Sequence, residues 1–75
     1  MIVTYGYDFY EYVGINKKVF KTSGFYQCED CEVEKLFNIM VNSTYMKLKK
    51  FYIFKGDYEY IYYDYLKIWK KFKVK

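Results

Sequence analysis

Two kinds of residue in this 75-residue chain could do chemistry: a pair of cysteines three positions apart, and lysines scattered through a dense run of tyrosine and phenylalanine. Cys28-Glu29-Asp30-Cys31 has the spacing of a dithiol redox motif and of half a zinc site. The surroundings are wrong for both. Glu29, Asp30, Glu32 and Glu34 crowd the pair with negative charge, which disfavours a thiolate and raises its pKa. Redox CxxC motifs open the helix of a βαβ unit, whereas the segment ahead of this one reads as a hairpin. A tetrahedral zinc needs four ligands, and one chain brings two cysteines and no histidine. Cys28 and Cys31 therefore read first as structural thiols or a local disulfide, next as half of a four-cysteine metal site shared by two chains. A small dithiol redox protein is the last of these readings.

The missing residues exclude more than the present ones establish. Without histidine there is no imidazole base, no Ser-His triad and no histidine metal ligand. The four glycines are isolated, so no glycine-rich phosphate loop forms. Nothing in the chain argues for an enzyme, and no cofactor is expected.

Charge is distributed unevenly. Residues 1–34 carry three lysines against six carboxylates, a net of −3, while residues 35–75 carry ten lysines against three, a net of +7. Such a division either neutralises itself in a compact fold or makes an acidic pole and a basic face that steer charged partners. Lys47, Lys49, Lys50, Lys55, Lys67, Lys70, Lys71, Lys73 and Lys75 lie on or beside the stretch from Phe51 to Tyr65, which holds eight aromatic residues. Ammonium groups tracking phosphates beside rings that stack on bases are the means of single-strand nucleic-acid binding. The same lysines also suit an ordinary solvated strand edge. With no arginine in the chain, bidentate reading of guanine is unavailable.

The elements that must position these groups follow from periodicity. Ile2 to Val13 alternates β-branched and aromatic residues as a strand, with Gly6 marking a bulge. Gly14-Ile15-Asn16-Lys17 is a turn, Lys18 to Thr22 a short second strand, and Ser23-Gly24 a break. Val33, Leu36, Phe37, Met40, Val41 and Thr44 then recur at helical spacing, with carboxylates in the first turns and Asn42-Ser43 as terminators. Tyr45 to Lys55 alternates again, Gly56-Asp57 fits a type II′ turn, and Tyr58 to Tyr65 returns with Ile53 opposite Tyr60 and Phe51 opposite Tyr62. The tail from Leu66 reads as continued strand ending in a basic segment. The expected fold is α+β, ββαββ: an antiparallel sheet of two hairpins with one helix on one face, in one domain covering residues 1–75.

A sheet with one helix hides one face. Tyr58, Tyr60 and Tyr62 share a parity, and Ile61, Tyr63 and Tyr65 share the other, so one set is left outside. Exposed tyrosine gives large contact area at small entropic cost. The expected partner-binding surface is Phe51, Tyr58, Tyr60 and Tyr62 with Lys47, Lys49, Lys55, Lys70 and Lys71.

Alanine, arginine and proline are absent while Lys, Tyr, Phe and Ile abound, which is the composition of an AT-rich gene from a virus, a mobile element or a low-GC microbe. Met1–Tyr10 lacks the basic start of a signal peptide, and the longest uncharged run, Leu36 to Met46, is too short to span a bilayer. The expectation is a cytoplasmic, non-enzymatic protein that blocks a host or defence protein by stoichiometric docking. Single-stranded nucleic acid is the alternative partner, no membrane is involved, and a homodimer would extend the small core.

Overall fold

The computed structural model describes residues 1–74; Lys75, the last of the basic tail, lies outside them. The elements run β1 (Ile2–Tyr12), β2 (Lys18–Glu29), α1 (Asp30–Val41), β3 (Met46–Lys55), β4 (Tyr58–Tyr63) and β5 (Ile68–Lys73). The five strands form one antiparallel sheet in the order β2-β1-β3-β4-β5. The class is α+β, with the helix packed on one face.

Burial assigns the helical side. Val3, Val33, Met40, Leu48, Phe51 and Tyr62 are the buried core, joined at its margin by Tyr5, Tyr7, Cys28, Leu36, Phe37, Met46 and Ile53. Phe51 is fully buried between Tyr5 and Tyr7, whose rings stack on it at 5.8 and 6.0 Å. The Phe37 ring comes down from the helix onto three strands, edge-on to Phe51 at 5.3 Å and Tyr62 at 4.8 Å and tilted against Trp69 at 5.0 Å. Val33, Phe37 and Met40 sit at the helical repeat that the sequence displays, so one stripe makes the whole contact. The helix starts at Asp30, whose N–H donates to the Met1 carbonyl at 3.0 Å, and Asp30 also accepts from Lys55 Nζ at 2.6 Å.

Three features differ from expectation. The second strand does not stop at Thr22. Ser23 and Gly24 form a bulge opposite Tyr7, Gly24 takes the left-handed φ of 81° that a bulge requires, and Ser23 Oγ accepts the Tyr7 N–H at 2.9 Å. The strand then runs on to Glu29. Gly6 does mark this irregularity, though the extra residue belongs to β2: a Cβ on Gly6 would stand 2.7 Å from the Gly24 carbonyl oxygen and 3.0 Å from the Phe25 ring.

A second bulge interrupts β3, where Phe9 pairs with Leu48 although Asp8 pairs with Lys50. It breaks the simple parity of that strand. Leu48 and Phe51 both enter the core, and Lys49 is carried to the opposite side of the sheet. Finally, the chain turns at Asp64-Tyr65-Leu66-Lys67 and adds β5 as a further strand, so the order is ββαβββ. The Gly56-Asp57 hairpin holds the expected register, Ile53 opposite Tyr60 and Phe51 opposite Tyr62, with Gly56 at φ 61°.

Two substitutions test this packing. Phe51→Ala is expected to lower unfolding free energy by about 3–5 kcal/mol, the range for emptying an aromatic core site. Gly6→Ala is expected to destabilise although it adds only a methyl, because the obstructing atom is backbone. Urea denaturation of both variants measures this, and a Gly6→Ala protein as stable as the parent would contradict the bulge geometry.

Candidate functional site

The open face of the sheet, opposite α1, carries the aromatic and basic side chains that the core does not use. Cross-strand partners share a face, which places Tyr10 with Phe20 and Lys47, Gly6 with Phe25 and Tyr52, Phe54 with Glu59, Lys50 with Tyr63, and Tyr63 with Ile68 on this side. The face has two ends. Near the Gly56 turn it is apolar: Phe25, 66 % exposed, meets Phe54 edge-on at 5.7 Å, with Phe72 beyond. At the other end ammonium groups alternate with rings. Lys49 Nζ stands 4.8 Å from the Phe20 ring and 5.9 Å from Tyr10, while Lys50 and Lys70 reach Tyr63 at 5.4 and 5.5 Å. Lys18 lies 5.7 Å from Tyr12 on the outer strand pair.

The β3 bulge is what brings Lys49 and Lys50 to the same side, since successive residues of a regular strand point to opposite faces. Among the described residues Asp8, Glu29 and Glu59 bring carboxylates to the strands of this face, and Glu29 is paired with the Met1 ammonium at 2.8 Å. Asp8 is engaged: Tyr52 donates its hydroxyl to Asp8 Oδ2. Burial first, and then this hydrogen bond and the Asp8 charge, push the Tyr52 phenol well above its ordinary value.

The residues singled out in the sequence divide into three groups. Phe51 and Tyr62, the latter 6 % exposed, are core and offer no surface to a partner. A two-layer fold needs its largest rings where helix and sheet meet, and these two occupy the central strands under Phe37. Lys55, Tyr58, Tyr60 and Lys71 lie on the helical side, Lys55 against the helix start at Asp30, with Lys71 Nζ 4.0 Å from the Tyr58 ring and 5.7 Å from Tyr60. Lys55 and Tyr60 border a cleft of about 320 Å³ with Asp30, Ile53 and Trp69. Lys47, Lys49 and Lys70 belong to the open face. Sequence reasoning missed Tyr10, Phe20, Phe25, Phe54 and Tyr63 as surface residues. The one available signal was the pair Lys49-Lys50 ahead of Phe51: Lys49 stands two residues before it, and a lysine and the core ring of a central strand do not share a buried face.

Cys28 is half-buried at the end of β2, opposite Val3, and Cys31 is exposed in the first helical turn; both are free thiols. Burial chiefly, then the Glu32 charge, raises the Cys28 thiol, the reverse of an activated nucleophile. Among the described residues no group of three or more His, Cys, Asp or Glu side chains is placed to hold a metal ion. No helix among them is long and apolar enough to cross a membrane.

Compared with known protein families, curated proteins and solved structures, the chain matches none of them.

The tyrosines make the fold sensitive to alkali. Tyr5, Tyr7, Tyr52 and Tyr62 all hold their protons more tightly when folded than the ordinary value of 10.0, burial being the largest cause in each. Their contribution is complete below about pH 10 and is lost as pH rises through the raised folded values, because the unfolded chain ionises first. Denaturant midpoints measured from pH 8 to 12 are expected to fall above pH 10, with a shallower fall in Tyr52→Phe. An unchanged slope in that variant would contradict the role given to the Tyr52–Asp8 bond.

Proposed function

We propose that this chain is a non-enzymatic binding protein that holds single-stranded nucleic acid on the open face of its sheet, without reading sequence. The observation carrying this proposal is the alternation of Lys49, Lys50 and Lys70 with the rings of Tyr10, Phe20 and Tyr63. Phosphates spaced along a single strand need cations at intervals across a surface. Bases need rings between those cations, and each stacked base contributes about 1–3 kcal/mol. Lysine serves as a point charge and stacking is tolerant of base identity, so the absence of arginine is consistent with sequence-independent binding. The acidic first turn of α1 lies on the helical side, away from the strand path.

A second reading is supported by the apolar end of the same face. Phe25 and Phe54 meet edge-on there, with Glu59 and then Phe72 on the next strands, a surface suited to a protein rather than to phosphates. On that reading the product of a virus or mobile element, the origin its AT-rich composition fits, inhibits a host or defence protein by occupying that surface.

Salt separates the two. If Lys47, Lys49, Lys50 and Lys70 each neutralise a phosphate, the logarithm of affinity for a random oligonucleotide should fall with the logarithm of salt at a slope of about −3. Lys49→Ala/Lys50→Ala should weaken binding at least tenfold and remove about half that slope, while Tyr58→Ala on the helical side leaves both unchanged. Fluorescence anisotropy at several salt concentrations measures each. No binding at low salt would eliminate the nucleic-acid reading.

A further inference from the structure

At the basic end of the open face the sheet closes into a cleft of about 330 Å³ lined by Tyr10, Lys47, Leu48, Lys49, Asp64 and Tyr65. That volume is at the small end of ligand sites and suits one nucleotide rather than a larger cofactor. Its chemistry is divided in the same way. Tyr65 and Tyr10 offer rings, and Lys47 and Lys49 supply two ammonium groups.

The turn after β4 holds this arrangement in place. The Asp64 N–H donates to the Lys49 carbonyl at 3.0 Å, which pins the turn to β3 at the bulge itself. Lys67 closes the turn with a φ of 56°, a left-handed conformation costly for a residue bearing a side chain. Its N–H donates to the Tyr63 carbonyl at 2.9 Å and its ammonium to Asp64 Oδ1 at 2.8 Å. The Tyr62 hydroxyl reaches the same carboxylate oxygen at 3.3 Å. The one acidic side chain of the cleft is thus engaged by a neighbouring ammonium, while Lys47 and Lys49 have no carboxylate partner among the described residues. Tyr65, beside them, is left 78 % exposed. Its ring meets Tyr63 edge-on at 6.1 Å, which leaves a face open for stacking.

We infer that this cleft is a site for a single nucleotide, its base lying on the Tyr65 ring and its phosphate between the ammonium groups of Lys47 and Lys49. The inference rests on reading the open face as a nucleic-acid platform and names a cleft at its basic end for a nucleotide. The site would anchor one end of a bound strand while the flatter face follows the rest.

The test uses the full chain with adenosine 5′-monophosphate, adenosine, inorganic phosphate and a random hexanucleotide as probes, binding being followed by amide chemical shifts. The monophosphate should bind more tightly than either of its parts. Tyr65→Ala should weaken it about tenfold, with Tyr65→Phe restoring affinity. Lys47→Gln should weaken the monophosphate and leave adenosine unaffected. Both positions are exposed, so an unchanged amide spectrum away from the cleft verifies the fold of each variant. If the hexanucleotide binds but the monophosphate does not, or binds Tyr65→Ala undiminished, the inference fails and the platform reading stands. If the monophosphate binds as expected and the hexanucleotide does not, the cleft is a nucleotide site and the platform reading fails. Binding of neither overturns both.

Discussion

One short helix cannot cover a five-stranded sheet, and most of this structure follows from that mismatch. Twelve residues of α1 make about 18 Å of helix some 10 Å across. Five strands about 4.8 Å apart make a sheet roughly 20 Å wide. The helix therefore covers about half of one face and nothing of the other. Among the described residues six hydrophobic side chains are buried, with Phe51 under Phe37 as their centre. Everything beyond that contact must tolerate partial exposure. Tyrosine does so better than any other large side chain, because its ring packs while its hydroxyl stays wet. The abundance of tyrosine is in this sense a structural response to a sheet with too little cover, alongside the AT-rich coding that favours the residue.

The two bulges turn that response into a differentiated surface. The bulge at Ser23-Gly24 keeps β2 paired past the point where its pattern breaks and lays the Phe25 ring over Gly6. The bulge in β3 lets Leu48 and Phe51 both face the helix and carries Lys49 to join Lys50 on the open side. An apolar end and a lysine-aromatic end result on one face, while the carboxylates of the first helical turn face the other layer. Among the described residues two ion pairs join the acidic and basic halves of the chain, Lys35–Glu32 and the part-buried Lys55–Asp30, and Asp8 lies opposite Lys50.

The sequence displayed the class of fold, the helix and the register of the central hairpin, because each rests on a local period. Val33, Phe37 and Met40 announce one helical stripe, and Gly56-Asp57 fixes which residues oppose which. The face assignments were less legible. Parity carried from Tyr45 fails at Lys49, since one extra residue exchanges the two faces of everything before it. Phe51 and Tyr62, read as surface, are thus core, and Tyr10, Phe20 and Tyr63 meet lysines on the open face while Tyr58 and Tyr60 meet Lys71 on the helical side. The turn at Asp64 to Lys67 was also hidden. It contains no glycine or proline, and its closing residue adopts a left-handed φ that lysine seldom takes.

The central claim is that function lies on the face the helix leaves open. Backbone amide shifts of isotope-labelled protein, titrated at low salt with a short single-stranded oligonucleotide, test it directly. The account expects movement at Tyr10, Lys49, Lys50, Tyr63 and Lys70, with Leu36 to Met40 of the helix unmoved. Shifts confined to the helix, to Cys28 and Cys31, or to the cleft beside Trp69 would contradict it.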